Sequence, residues 1–217
     1  MKDTVIVAVD GPAGSGKSSV AALLAKRLGV EHVDTGGMYR AFALRCLRSK
    51  VNLEDEAKVA VLVPDTHLEV VFGKVLLDGS DITGELRRPE VSAASSVIAQ
   101  YPSVRDYMVT VQRSAVKAAP AGAIVEGRDI GTVVLPDADV KIYLTASEVT
   151  RAARRAAQAG LSVSEGLSEI AQRDSRDSAR KHSPLKPASD AIVVDTSDMN
   201  LEQVVDKVEQ IVAGARS

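Results

Sequence analysis

The sequence predicts an α/β protein, a parallel sheet covered by helices on both sides, and three observations carry that expectation. About five short apolar runs alternate with stretches of helical period, the pattern of successive βα units. The first run, Thr4-Val5-Ile6-Val7-Ala8-Val9, is β-branched and reads as a buried parallel strand. Directly after it, Gly11-Pro12-Ala13-Gly14-Ser15-Gly16-Lys17-Ser18 fits G-x-x-x-x-G-K-[ST] at every fixed position. That is the phosphate-binding P-loop in its required strand-to-helix context, so the sheet is expected to be of P-loop NTPase type.

The glycines let the backbone approach oxyanions and turn its N–H groups toward them. The helix that follows, with Ala21, Leu24, Ala25 and Leu28 on one face, points its positive end at the same spot. Lys17 adds charge for the outer phosphates of a polyphosphate, and Ser18 supplies a hydroxyl oxygen for Mg²⁺.

Next, Val30-Glu31-His32-Val33 reads as a short strand ending in Asp34-Thr35-Gly36-Gly37, with a helix through Met38, Phe42 and Cys46. This second βα unit puts its loop at the carboxyl end of a strand, where open α/β sheets bind ligands. Between about 65 and 88, Leu68, Val70 and Phe72 alternate, Gly73-Lys74 offers a tight turn, Val75 and Leu77 return, and Asp78-Gly79 turns again. A small antiparallel β insert is expected there. Pro89 opens a helix through Ser96; Pro102 starts another in which Val104, Met108, Val111 and Ala115 keep helical period up to Pro120. Strands resume at Ala123–Glu126, Val140–Leu144 and Ala191–Val194. The last helix is capped by Asn200 with Gln203 at the capping-box position and presents Leu201, Val204, Val205, Val208, Ile211 and Val212 on one face.

Residues 151 to 186 hold eight Lys/Arg (Arg151, Arg154, Arg155, Arg173, Arg176, Arg180, Lys181, Lys186) against four acids, about +4 in a chain of net charge −2. Gly160-Leu161-Ser162 divides the segment into two helices. On the second, Arg173, Arg176, Asp177 and Arg180 fall at i, i+3, i+4 and i+7, one helical face. A solvated face laced with ion pairs would look the same. Beside a P-loop, guanidiniums suited to phosphate oxygens favour an anion-handling role.

Four stretches together resemble the bacterial-type cytidylate kinases of the nucleoside monophosphate kinase group: Val9–Ser19, Asp34-Thr35-Gly36-Gly37-Met38-Tyr39-Arg40, Glu126-Gly127-Arg128-Asp129-Ile130-Gly131-Thr132-Val133-Val134, and Arg173-Asp174-Ser175-Arg176-Asp177. The resemblance covers nearly the whole chain. It implies a single P-loop kinase domain over 1–217, with a monophosphate-binding β insert at about 65–88 and an Arg-rich helical lid at about 151–186. It implies ATP bound by Gly11, Pro12, Ala13, Gly14, Ser15, Gly16, Lys17, Ser18 and Ser19, with Mg²⁺ on Ser18, and CMP or dCMP as acceptor. Ser96, Arg105 and Asp129 are then expected around the cytosine and Asp177 on the ribose. Arg40, Arg128, Arg173 and Arg180 are expected near the monophosphate, with Thr35 lining the same pocket. Lys17, Arg128 and Arg173 would act on the transferring group. Glu126 stands where some relatives have Asp and is expected to support its loop; Thr35 stands where some have Ser.

Other readings fit less well. Asp34-x-x-Gly37 matches a GTPase switch but follows Lys17 too closely, and no guanine-reading Asn/Thr-Lys-x-Asp motif occurs. A kinase for a sugar acid would leave Ser96, Arg105 and Asp129 without a base to read. An RNA-binding role lacks stacking groups, since aromatics are 3% of the chain and its net charge is negative. No nucleic-acid partner is therefore expected. The lone Cys46 has core spacing and excludes an internal disulfide, and His32, His67 and His182 have no metal-ligand spacing. No apolar run approaches the roughly 20 residues of a membrane span. Met1-Lys2-Asp3 runs into the first strand without a secretory leader. A cytoplasmic monomer is expected.

Overall fold

The computed structural model describes residues 4–71, 73–180 and 183–215. Met1-Lys2-Asp3, Phe72, Lys181 and His182, which entered the sequence reading, lie outside them. The chain divides into two compact units, residues 33–118 and the remainder.

In the larger unit, β1 (Val5–Asp10), α1 (Lys17–Leu28), β6 (Gly122–Glu126), β7 (Val140–Thr145) and β8 (Ile192–Asp195) follow the predicted strand and helix positions closely. With β2 (Glu31–Asp34) they form a five-stranded sheet in the order β2-β6-β1-β7-β8, and the boundary between units falls inside β2. The β1–β6, β1–β7 and β7–β8 pairs are parallel. Val7, Ala8 and Val9 of β1 are fully buried because strands flank them on both sides and helices cover the sheet. Val20, Ala21, Leu24 and Ala25 of α1 share one core with Val204, Val205, Val208 and Val212 of α8 (Leu201–Ala215) and with the strands. Asn200 and Gln203 exchange the expected reciprocal capping bonds.

Two helices, α6 (Glu148–Ala159) and α7 (Val163–Ser178), carry the arginine-rich segment. Gly160 closes α6 in the left-handed conformation, and Ser162 and Glu165 form a capping box that starts α7. Ala13 of the P-loop, Ala152 of α6 and Ile170 of α7 form a small apolar cluster, so the helix pair rests on the loop through these three buried side chains. At Gly14 (φ 75°) a Cβ would come within 2.6 Å of the Arg151 carbonyl oxygen, which requires glycine there. Among the described residues, no helix is long and apolar enough to cross a membrane.

The smaller unit holds α2 (Thr35–Arg48), the antiparallel sheet β3 (Leu68–Val71), β4 (Lys74–Leu77) and β5 (Ser80–Asp81), then α4 (Pro89–Ile98) and α5 (Pro102–Lys117). The expected insert is thus a three-stranded sheet, and Cys46 is buried on α2 beside Met38 and Phe42. A further helix, α3 (Glu56–Val61), was not expected. It buries only Val59, so there is no apolar period to read; the Asp55 cap on Lys58 N starts it. Tyr101 and Tyr107 fasten α5 by donating their hydroxyls to Leu53 O and Thr66 O.

Candidate active site

At the phosphate loop the Lys17 and Ser18 side chains both bond to groups of the chain itself. Lys17 is 9% exposed, and its Nζ donates to Pro12 O at 2.7 Å and Ser15 Oγ at 3.3 Å. Burial, with the nearby Arg128 and Arg173 guanidiniums, pushes its pKa well below the ordinary lysine range. Phosphate oxygens arriving here would favour the charged form.

Ser18 Oγ donates to Glu126 Oε2 at 2.7 Å, and Glu126 Oε1 lies 3.1 Å from His32 Nε2. Glu126, 4% exposed at the end of β6, therefore has a different task from the expected support of its loop. By accepting the Ser18 hydrogen bond it leaves the hydroxyl's lone pairs free to face a cation. The separation of 108 residues between the two hides this pair from local reading.

The sequence-predicted Arg128, Arg173, Asp177 and Arg180 lie in this same unit. Arg128 Nη1 donates to Gly11 O at 2.8 Å and its Nε lies 3.2 Å from Asp177 Oδ2. The other Asp177 oxygen takes Arg180, which sits just past the end of α7 rather than on its last turn. Arg173 is half-buried and close enough to Lys17 to depress its pKa. The unforeseen member is Asp174. Its Oδ1 accepts the Ala13 N–H at 2.9 Å, its Oδ2 pairs with Arg151, and Arg151 Nη1 donates to Ala13 O at 3.0 Å. One residue of the phosphate loop is thus held at both backbone groups by an acid–base pair from α6 and α7.

Asp129 is buried between Arg128 and Ile130. Behind it lies Asp10, whose Oδ1 and Oδ2 accept the Ile130 and Gly131 N–H groups, each at 2.8 Å. Burial, opposed by those two bonds and aided by the Asp129 charge, raises the Asp10 pKa to about 6.

In the smaller unit, Thr35 is buried at the first turn of α2, where Asp34 caps the helix through Gly37 N. Arg40, one turn on, pairs with Asp34 at 2.6 Å, and its buried Nε has no hydrogen-bond partner. Arg105 on α5 is 5% exposed, donates to Ala99 O at 3.2 Å and lies 6.0 Å from the Tyr39 ring centroid. Ser96 on α4 donates to Ser92 O at 3.2 Å. Among the described residues no cluster of three His, Cys, Asp or Glu offers a closed metal site.

Residues 7–214 match the family model described as cytidylate kinase. A cytidylate kinase of Nocardia farcinica is 45% identical, with 96% of this chain and 94% of that one covered. One from Mycobacterium avium is 46% identical, covering 98% and 96%. One from a Geobacillus species is 43% identical, covering 98% of each. A crystal structure of an uncharacterized protein from Eubacterium ventriosum shares the fold, with a TM-score of 0.54 at 10% identity over 97% of this chain and 99% of that one.

Proposed function

Because the chain belongs to the cytidylate kinase family, we propose that it transfers the γ-phosphoryl group of ATP to CMP and dCMP, with Gly11–Ser19 holding the donor. The observation that carries the residue-level reading is Arg128. One guanidinium meets the phosphate loop at Gly11 O and the lid helix at Asp177, so a single cation serves donor loop and acceptor face together. Arg173 and Arg180 add charge beside it, and Arg40 with its unpartnered Nε offers a further donor to a monophosphate. Asp129, Ser96 and Arg105 take the base, Thr35 lines the pocket of the monophosphate, and Asp177 takes the ribose.

Ser18 and Glu126 fit Mg²⁺: both carry oxygen donors, and the hydroxyl points its proton at the carboxylate, which leaves its lone pairs available. Bound there, the ion would supply positive charge to offset that developing on the phosphates. The chain supplies the rest. A nucleotide phosphate with a second pKa of about 6 is already ionised at pH 7, so no general base is required. Lys17, Arg128 and Arg173 align the reacting oxygens and stabilise the moving charge, and α6 with α7 exclude water that would otherwise accept the group. The protein acts as a cytoplasmic monomer on small nucleotides, with no nucleic-acid or membrane partner.

The test is ADP release in a coupled assay with CMP, dCMP, UMP, AMP and shikimate as acceptors. CMP and dCMP are expected to be turned over fastest. Preferential turnover of AMP or shikimate would overturn the reading.

A further inference from the structure

Asp10 takes no part in the phosphate, metal or base contacts proposed above, yet it is one of the most deeply buried acids of the chain, 4% exposed at the end of β1. An ionised carboxylate is costly there, and Asp129 adds a like charge nearby. Its geometry explains why an acid is nevertheless present. The consecutive N–H groups of Ile130 and Gly131 face it together, and only a carboxylate can accept at both of its oxygens; an asparagine would answer one N–H and oppose the other. A Cβ at Gly131 would press on the Lys141 side chain, with Cδ at 3.1 Å, so a larger residue there would make Lys141 give way.

Two more bonds join the same pair of segments. Gly127 N donates to Val9 O at 3.0 Å, and Arg128 Nη1 donates to Gly11 O at 2.8 Å. The loop from 127 to 131 is therefore fastened to Val9, Asp10 and Gly11 in register, with Arg128 and Asp129 between the fastenings. At Asp129 the backbone leaves strand geometry (φ −145°, ψ 27°), and its carbonyl accepts the Val133 and Val134 N–H groups that open the next helical turn. The two bonds to Asp10 come immediately after it.

We infer that Asp10 is a positioning residue: through Ile130 and Gly131 it sets Arg128 and Asp129 in register with the phosphate loop, so that one carboxylate aligns the acceptor groups with the donor. The inference rests on the reading of Arg128 and Asp129 as acceptor-side groups. It differs from a merely structural role in what it leaves untouched, since the P-loop backbone and Lys17 keep their own bonds when Asp10 is altered.

Asp10→Asn, compared with wild type, separates the two roles. Steady-state kinetics with CMP and UMP would be run beside calorimetric titration with a non-hydrolysable ATP analogue and amide hydrogen exchange at Ile130 and Gly131. The expected result is a fall in kcat/KM for CMP on the order of ten-fold and a narrowed CMP-to-UMP preference. Exchange at the two amides should quicken while the dissociation constant for the ATP analogue stays within about two-fold. Equal weakening of ATP-analogue binding and CMP turnover, or an unchanged CMP-to-UMP preference, would overturn the inference. Asp129→Asn is the control. If it leaves the base preference unaltered, the acceptor reading itself fails; if it shifts the preference and Asp10→Asn does not, only the positioning role fails. Should Asp10→Asn not fold, Asp10→Ser removes the charge and shortens the acceptor, and the same comparison applies.

Discussion

The phosphate loop and the acceptor-side cluster of the same unit hold their charges differently. At the loop, Lys17 turns back on a carbonyl and a hydroxyl of its own turn, both neutral. In the cluster, Arg128 and Arg180 share Asp177, and Arg151 pairs with Asp174, so each cation faces a carboxylate. Neutral partners are given up to phosphate at small cost. Carboxylates are not, because an anionic ligand placed beside an ionised acid is repelled unless the guanidinium turns between them. The loop is thus ready for its ligand, whereas the cluster is kept in order by acids that a monophosphate bound as proposed would have to displace or join.

The largest effect is expected where the neutral partners leave most to the ligand. Lys17→Met removes a charge that contacts only loop atoms, so the fold should persist while kcat falls on the order of 10³-fold, the scale of losing one strong donor to a transferring group. Thermal melting checks the first half and the coupled assay the second. Retention of more than about a tenth of wild-type turnover would mean the loop does not work through Lys17.

Asp10, at the junction between loop and cluster, yields a pH test. Its pKa is raised from 3.8 to about 6, chiefly by burial. Between those values the folded protein keeps a proton that the unfolded chain has lost, so stability falls as pH rises, and the penalty is complete above about 6. The shift corresponds to at most about 3 kcal/mol. Chemical denaturation of wild type and Asp10→Asn at pH 4.5 and 7 should show wild type losing ground to the variant as pH increases. The opposite trend would mean that the two N–H bonds outweigh burial.

Arg173→Lys sharpens the comparison from the cluster side. The charge is kept and the fork is lost, so a site that needs only positive potential should tolerate the change, as the loop tolerates a lysine. A phosphoryl group gripped at two oxygens should not, and turnover should fall on the order of a hundred-fold. Near-normal kcat would return this face of α7 to an ordinary solvated one.

What could be read in the sequence follows the same division. The P-loop is one unbroken run whose spacing states its chemistry, and the strands and helices around it carry their period in neighbouring residues. The break between α6 and α7 was legible too, through Gly160 and Ser162, although the capping box that Glu165 completes was not. The pairings that organise the site were not. Ser18 with Glu126, Ala13 with Asp174, and Asp10 with Ile130 lie 108, 161 and 120 residues apart. They exist because β1 and β6 are neighbours in the sheet and α7 returns to the loop, which no local pattern reports. Asp174 stood inside a recognised motif, yet its neighbours drew the attention because arginine announces phosphate and an acid beside it does not.

The smallest effect should come from the one acid of the cluster whose proposed partner is a base. Cytosine presents an amino donor at position 4 and an acceptor at N3; uracil presents an acceptor and a donor at those places. The Asp129 carboxylate only accepts, so it suits the amino group and opposes the uracil carbonyl oxygen, while Arg105 only donates and suits N3 or O2. Because Asp129 is buried, a mismatched partner cannot turn to water instead. Asp129→Asn can rotate its amide to donate. It should lower kcat/KM for CMP and reduce the CMP-to-UMP ratio by roughly ten-fold, the worth of one hydrogen bond to a charged group. ATP-analogue binding should be unaffected, in contrast to Lys17→Met. If kcat/KM for both nucleotides falls by one factor, Asp129 serves the arginines as Asp177 does, and the contrast between reading a base and holding a charge disappears at this residue.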